Sequence, residues 1–254
     1  MNPTIEAGLR RHRAITLAAL AGLCLLAWAW LLLGAGVAAP GAAMEGMAMA
    51  PPAWSPGHFA LTFAMWWTMM AAMMLPAAAP MVLLYARAAA RPGSPAPASG
   101  AFIAGYLLVW AAFSLLAAAL QLWLDRAVLL APQSMALTGH RLTGVLLIAA
   151  GLYQLSPAKG SCLRHCRNPT QFLSRHYRPG ASGALRMGLI HGAWCLGCCW
   201  ALMLLLFAGG VMNLAWIAAL TLLVAAEKLL PAGRWISRLA GAACLGYGAV
   251  LLAQ

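Results

Sequence analysis

Charge is the first thing this chain lacks. Only 8% of its 254 residues are Asp, Glu, Lys or Arg, against 64% hydrophobic, and the mean hydropathy is +0.83. A water-soluble domain of this size needs far more charge to cover its surface, so that class is excluded. The seven cysteines have none of the spacing of a secreted disulfide framework. No GxxxxGK[ST] loop is present, so no nucleotide-hydrolysing motor is encoded in that form. Acidic residues are scarcest of all, four against 16 Lys and Arg, which leaves a net charge of +12.

What is present is a series of apolar runs of about 20 residues, the length that crosses a ~30 Å hydrocarbon core. They fall at about residues 14–37, 59–85, 101–124, 142–155, 184–207, 212–230 and 236–252. The fourth is short and Pro157 closes it; Pro231 ends the sixth. The second contains Pro76 and Pro80, each without an amide donor, so a bend is expected near Ala72 and Pro76. The first run is longer than a 7–15-residue signal core, so a retained helix is expected; cleavage after it would leave six spans. The expected class is an all-α polytopic membrane bundle, one integral membrane domain over 1–254, with a Cys/His loop at about 157–183.

The basic residues test this topology. With the N-terminus inside, the inner segments hold Arg10, Arg11, Arg13, Arg87, Arg91, Lys159, Arg164, Arg167, Arg175, Arg178, Arg186, Lys228, Arg234 and Arg238, which is 14 of the 16. Only Arg126 and Arg141 fall outside. This bias predicts seven spans, N-in and C-out, and explains the net charge without nucleic acid.

The chemistry concentrates between Cys162 and Cys199, with Cys24 and Cys244 outside. His191, Cys195, Cys198 and Cys199 are spaced i, i+4, i+7, i+8, which places them on one helical face within an arc of about 100°. Their depth from the inner end is roughly 10–20 Å. Thiolate and imidazole are ligands for Cu(I) or Zn(II), although Cys and Gly also serve as small packing residues in a helix seam. Upstream, CLRHC sets Cys162 and Cys166 four apart around His165. Lys159, Arg164, Arg167 and Arg175 around it are expected to lower those thiol pKa values. His176 reads as an ordinary interfacial side chain.

In the second run Met65, Met69 and Met73 form one stripe, and Met70, Met74 and Met81 another. Methionine fills gaps in cores, but its thioether is also a Cu(I) ligand that needs no deprotonation. Met44, Met47, Met49 and His58 precede it in an outer segment. Trp66 and Trp67 read as packing or anchoring residues. Glu227 and Lys228 end the sixth run, with a salt bridge from Glu227 to Arg234 or Arg186 expected.

MWWTMMAAMMLPAAAP, YQLSPAKGSCLRHCRNP, GLIHGAWCLGCCWALM and AAEKLLP together resemble the bacterial predicted metal-binding integral membrane protein family, a domain family of unknown function. The resemblance implies metal binding but no particular reaction. It points to Cys162, His165, Cys166, His191, Cys195, Cys198 and Cys199, and to Met65, Met69, Met70, Met73 and Met74.

The resulting expectation is a multi-pass protein of the bacterial inner membrane that carries a soft metal. Copper as Cu(I) is expected, with zinc or another soft metal as alternatives, in transport or delivery to a metallochaperone or metalloenzyme partner. The expected route runs from the outer Met segment through Met65, Met69 and Met73 to Cys195, Cys198 and Cys199, then to Cys162 and Cys166 at the inner mouth. Rival readings are a membrane thiol–disulfide oxidoreductase using Cys195-Leu-Gly-Cys198, and a scaffold subunit for metalloenzyme assembly.

Overall fold

The computed structural model describes residues 3–33, 55–89, 98–132 and 134–254. Met44, Met47, Met49 and Arg91 lie outside the described residues. Among those described there are ten helical segments and no strand: α1 (Pro3–Leu32), α2 (Pro56–Ala89), α3 (Ser99–Arg126), α4 (His140–Leu155), α5 (Pro157–Arg167), α6 (Pro169–His176), α7 (Gly180–Leu204), α8 (Leu206–Gly209), α9 (Leu214–Leu229) and α10 (Gly233–Leu252). Each of the seven apolar runs is occupied by a helix.

Local chemistry sets several of the boundaries. Pro56, Pro157 and Pro169 open helices, where their missing amide proton leaves no bond unmade. Ser156 caps α5 by accepting from the Lys159 amide at 3.2 Å, and Asn213 caps α9 by accepting from Trp216 N at 3.2 Å. Residues before proline avoid the helical region, so Ser156 and Leu230 are extended and α4 and α9 stop there. α2 is one assigned helix through Pro76 and Pro80. Pro76 cannot donate to the Ala72 carbonyl, and the Cys24 thiol of α1 donates to that oxygen at 3.7 Å instead.

Five stretches are long and apolar enough to cross a membrane: Ala14–Leu32, Pro56–Ala89, Ser99–Arg126, Gly180–Gly209 and Gly233–Leu252. α4 and α9 have 16 residues each, about 24 Å, which falls short of a full hydrocarbon core. Their shortness has a structural cause. Tyr153, in the last turn of α4, donates its hydroxyl to the Gly197 carbonyl about two-thirds of the way along α7. Beyond the ends of α4 and α9 the space is filled by α5, which lies against α7. The segment expected as a loop is therefore two helices, α5 and α6, folded into the bundle.

Glycine lets the main helices touch at backbone distance. A Cβ on Gly188 of α7 would lie 2.1 Å from Phe102 O of α3, and one on Gly105 of α3 would lie 2.2 Å from Leu185 O of α7. Gly144 and Gly151 of α4 face Gly248 and Gly241 of α10 in the same way. Small-residue seams are how helices associate where apolar burial offers no net drive. They also fix the α3–α7 register that brings Tyr106 to Cys195.

Candidate metal centre

His191, Cys195, Cys198 and Cys199 are all buried on α7. The expected common face is present, and it turns inward. Around Cys195 the Tyr106 hydroxyl stands 2.9 Å from Sγ, and the Lys228 ammonium donates to Sγ at 2.9 Å. Lys228 Nζ also lies 3.8 Å from Cys199 Sγ. Cys199 Sγ is 3.9 Å from the Met74 thioether of α2, and Cys198 Sγ is 3.9 Å from Cys166 Sγ of α5. The Cys198 and Cys199 thiols both donate to the Cys195 carbonyl, at 3.1 and 2.9 Å. Tyr106 is held in turn by donating to Met74 O at 3.1 Å.

The α5 helix is fixed at this position by charge. Lys159, 1% exposed, pairs with Glu227 at 2.6 Å and also donates to Gln154 Oε1. Gln154 Nε2 donates to the other Glu227 oxygen at 2.8 Å. Arg167 donates to the carbonyls of Leu230 and Pro231 at 2.7 and 3.0 Å. The expected partners of Glu227, Arg234 and Arg186, are thus replaced by Lys159, because α5 folds back onto the end of α9. Cys162 faces Gly197, where an added Cβ would meet its Sγ at 2.9 Å.

The expected lowering of the CLRHC thiol pKa values is also overturned. The hydrogen bond with Cys198 is the largest influence raising Cys166 well above the ordinary thiol range, and burial adds to it. Burial raises Cys162 as well. Arg164 is exposed and Arg167 is engaged with backbone carbonyls, so their charges act on solvent and peptide oxygens more than on sulfur.

The other expected residues divide. Met74 joins the thiols; Met65, Met69, Met70 and Met73 are equally buried in the core beside it. Contact is thus made by the second methionine stripe, whereas the expected route used the first. Trp66 donates to Gln121 Oε1 at 2.6 Å and packs on Phe207, as a packing residue should. His191 sits among the rings of Phe102, Tyr106 and Phe172, and its buried Nδ1 has no hydrogen-bond partner. His165 stacks on Trp194 and makes no thiol contact among the described residues. His58 lies in the first turn of α2.

Among the described residues no three His, Cys, Asp or Glu side chains close around one point as a metal cage. The sulfurs come in pairs. With metal–sulfur bonds of about 2.3 Å, two sulfurs on one ion lie roughly 3.8–4.6 Å apart, depending on the angle. Both 3.9 Å pairs, Cys166–Cys198 and Cys199–Met74, fall in that interval. Paired soft donors suit an ion content with two or three ligands better than a closed tetrahedral zinc site.

Residues 63–251 match the family model described as a copper chaperone, PpoB2. The chain belongs to this copper chaperone family. No curated protein and no solved structure matches it. The matched region begins within α2 and ends in α10, so it takes in Met74, Cys166, Cys195, Cys198 and Cys199, whereas α1, Met44, Met47, Met49 and His58 precede it. Membership narrows the expected soft metal to copper and the expected role to that of a chaperone.

Two residues of this candidate site were missed by sequence reasoning, Lys228 and Tyr106. Lys228 had a signal: a lysine at the end of an apolar run is costly unless something charged or polar receives it. Tyr106 had none, since its place beside Cys195 depends on the α3–α7 glycine seam.

Proposed function

We propose that this protein is a multi-pass membrane carrier that takes up Cu(I) on paired sulfurs and delivers it to a partner protein. The observation that carries the reading is the row of Cys166, Cys198, Cys195, Cys199 and Met74, in which sulfurs from three helices meet at 3.9 Å spacings beside one buried ammonium. Copper held by two thiolates has a net charge of −1. Lys228 restores neutrality, which a site in low dielectric requires. Tyr106 holds Cys195 in place without competing as a strong ligand. Transfer is then ligand exchange between neighbouring sulfurs, with copper remaining Cu(I) throughout.

The proposed topology is seven crossings of the bacterial inner membrane, N-in and C-out, forming one domain over 1–254. Its support is the 14-of-16 bias of Arg and Lys towards the inner segments. The short α4 and α9 cross with local thinning of the bilayer, and α5 and α6 lie beneath them on the inner side. Cu(I) titration of the reduced, detergent-purified protein is the test. Replacing Cys195, Cys198 and Cys199 together with Ser should remove the sulfur-bound copper, and an unchanged stoichiometry sinks the site.

The Cys166–Cys198 contact also favours a second reading, a thiol–disulfide exchanger. Those sulfurs, 3.9 Å apart, would need to close to about 2.05 Å. A reversible disulfide formed without metal in a redox titration would favour that reading over carriage.

A further inference from the structure

The bend between α5 and α6 holds two imidazoles that the sulfur row does not use. His165 and His176 line one cavity of about 260 Å³, together with Asn168, Gln171 and the rings of Trp194 and Phe172. Both rings are held in place. His165 stacks on Trp194 with centroids 4.1 Å apart and planes 4° apart, and His176 stacks on Phe172 at 4.6 Å. The Nδ1 atoms lie 2.9 Å from Ser161 O and 3.1 Å from Phe172 O. A carbonyl only accepts, so in each neutral ring the proton sits on Nδ1 and the Nε2 lone pair is left free. Neither Nε2 has a protein partner among the described residues. An imidazole oriented by a backbone carbonyl through its far nitrogen is the usual condition of a metal-ligating histidine.

We propose that this elbow is a second copper site, in which Nε2 of His165 and Nε2 of His176 receive Cu(I) before it moves to the sulfur row. The inference rests on the copper-carrying reading above. Imidazole is a harder ligand than thiolate, so Cu(I) held here is bound more weakly and moves downhill towards sulfur. The path is short. Cys166 follows His165 on α5, Cys195 follows Trp194 on α7, and His191, with its unpartnered buried Nδ1, packs edge-on against Phe172 at 5.4 Å. The cavity exceeds the volume of a bare ion by several water molecules of about 30 Å³ each, so the copper can arrive still attached to donor ligands. Arg175 borders the opening and is exposed, which favours an anionic donor complex of weakly held Cu(I), such as a Cu(I) chloride complex, over a free hydrated cation. Only ligands exchange in this step: no electron moves, and the Nδ1 protons stay where they are.

The test uses the full chain in detergent, kept anaerobic and free of added thiol, with Cu(I) supplied as its chloride complex. In the wild-type protein, copper should shield His165 and His176 from diethyl pyrocarbonate, with mass spectrometry showing His58 and His140 still labelled. X-ray absorption should show sulfur-only ligation for the first copper bound and nitrogen ligation for the last. H165Q/H176Q should lose that last, nitrogen-ligated copper and retain the sulfur-bound fraction. Equal labelling of both imidazoles with and without copper overturns the proposal, and so does a double variant that keeps the nitrogen shell. The sulfur reading fails separately: the Cys195, Cys198 and Cys199 to Ser protein would then bind as much copper as wild type while the imidazoles remain shielded.

Discussion

Lys228 Nζ, at the end of α9, lies 2.9 Å from Cys195 Sγ and 3.8 Å from Cys199 Sγ, so one positive charge spans two thiols of α7. Hydrogen bonds to charged groups contribute about 1.5–3 kcal/mol, a factor of roughly 10–150 in binding. K228M should weaken Cu(I) affinity by that order in a competition assay with a chromogenic chelator, and K228R should recover part of it. Equal affinity in K228M and wild type would remove the charge-balancing role.

Met74 and Met65 are both buried on α2, yet only Met74 stands against a thiol, 3.9 Å from Cys199. M74L preserves volume and deletes the sulfur, so its stability should change by less than about 1.5 kcal/mol while Cu(I) binding weakens. M65L should leave binding as it is. The same chelator competition, run on both variants, separates ligand from filler.

The buried pair Lys159–Glu227 should behave asymmetrically. Removing one partner leaves a charge stranded, at a cost of about 3–5 kcal/mol, whereas replacing both by apolar residues is often neutral. E227Q and K159M should each unfold at lower denaturant than K159M/E227L. Loosening of α5 in the single variants should also speed maleimide labelling of Cys166.

Cys166 gives a pH prediction. Its thiol is raised well above the ordinary range, chiefly by the bond to Cys198. A raised pKa keeps the unreactive thiol form as pH increases, so alkylation at pH 8 should be slower than for an unperturbed cysteine and should climb only at higher pH. C198A removes the largest cause and should shift the rate profile back towards lower pH. A Cys166 profile like that of a free thiol contradicts the arrangement.

Helix contact at Gly188 leaves no room for a methyl group, because its Cβ would lie 2.1 Å from a backbone oxygen. G188A should destabilise by about 1–3 kcal/mol in denaturant titration, since backbone must move rather than a flexible side chain. Gly246, with nothing within 4 Å, is the control, and G246A should be neutral or better.

Hydropathy located a helix in each of the seven apolar runs, five of them long enough to cross a membrane, because apolar runs and proline boundaries are local properties of the chain. The inward face of α7 was equally legible from the spacing of His191, Cys195, Cys198 and Cys199. The long-range partners were not. Basic neighbours of CLRHC suggested reactive thiols, but α5 folds inward and burial reverses the effect. Glu227 was assigned to Arg234 or Arg186, while its partner Lys159 comes from a segment 68 residues earlier. Which methionine stripe meets sulfur depends on the rotation of α2, and no period in the sequence encodes that rotation. His165 was grouped with its neighbouring cysteines, whereas side chains one residue apart on a helix point about 100° apart and so serve different cavities.

The CLRHC helix is clamped at both ends. Lys159 is bolted to Glu227 near its start, and Arg167 grips the chain at Leu230 and Pro231 near its finish. A helix secured this way cannot swing aside to admit the metal-bearing loop of a visiting protein. On the delivery reading proposed above, cargo leaves its courier at the bend between α5 and α6 and slips through as a single atom, which makes that doorway, and not the sulfur row, the place where a delivery partner is chosen.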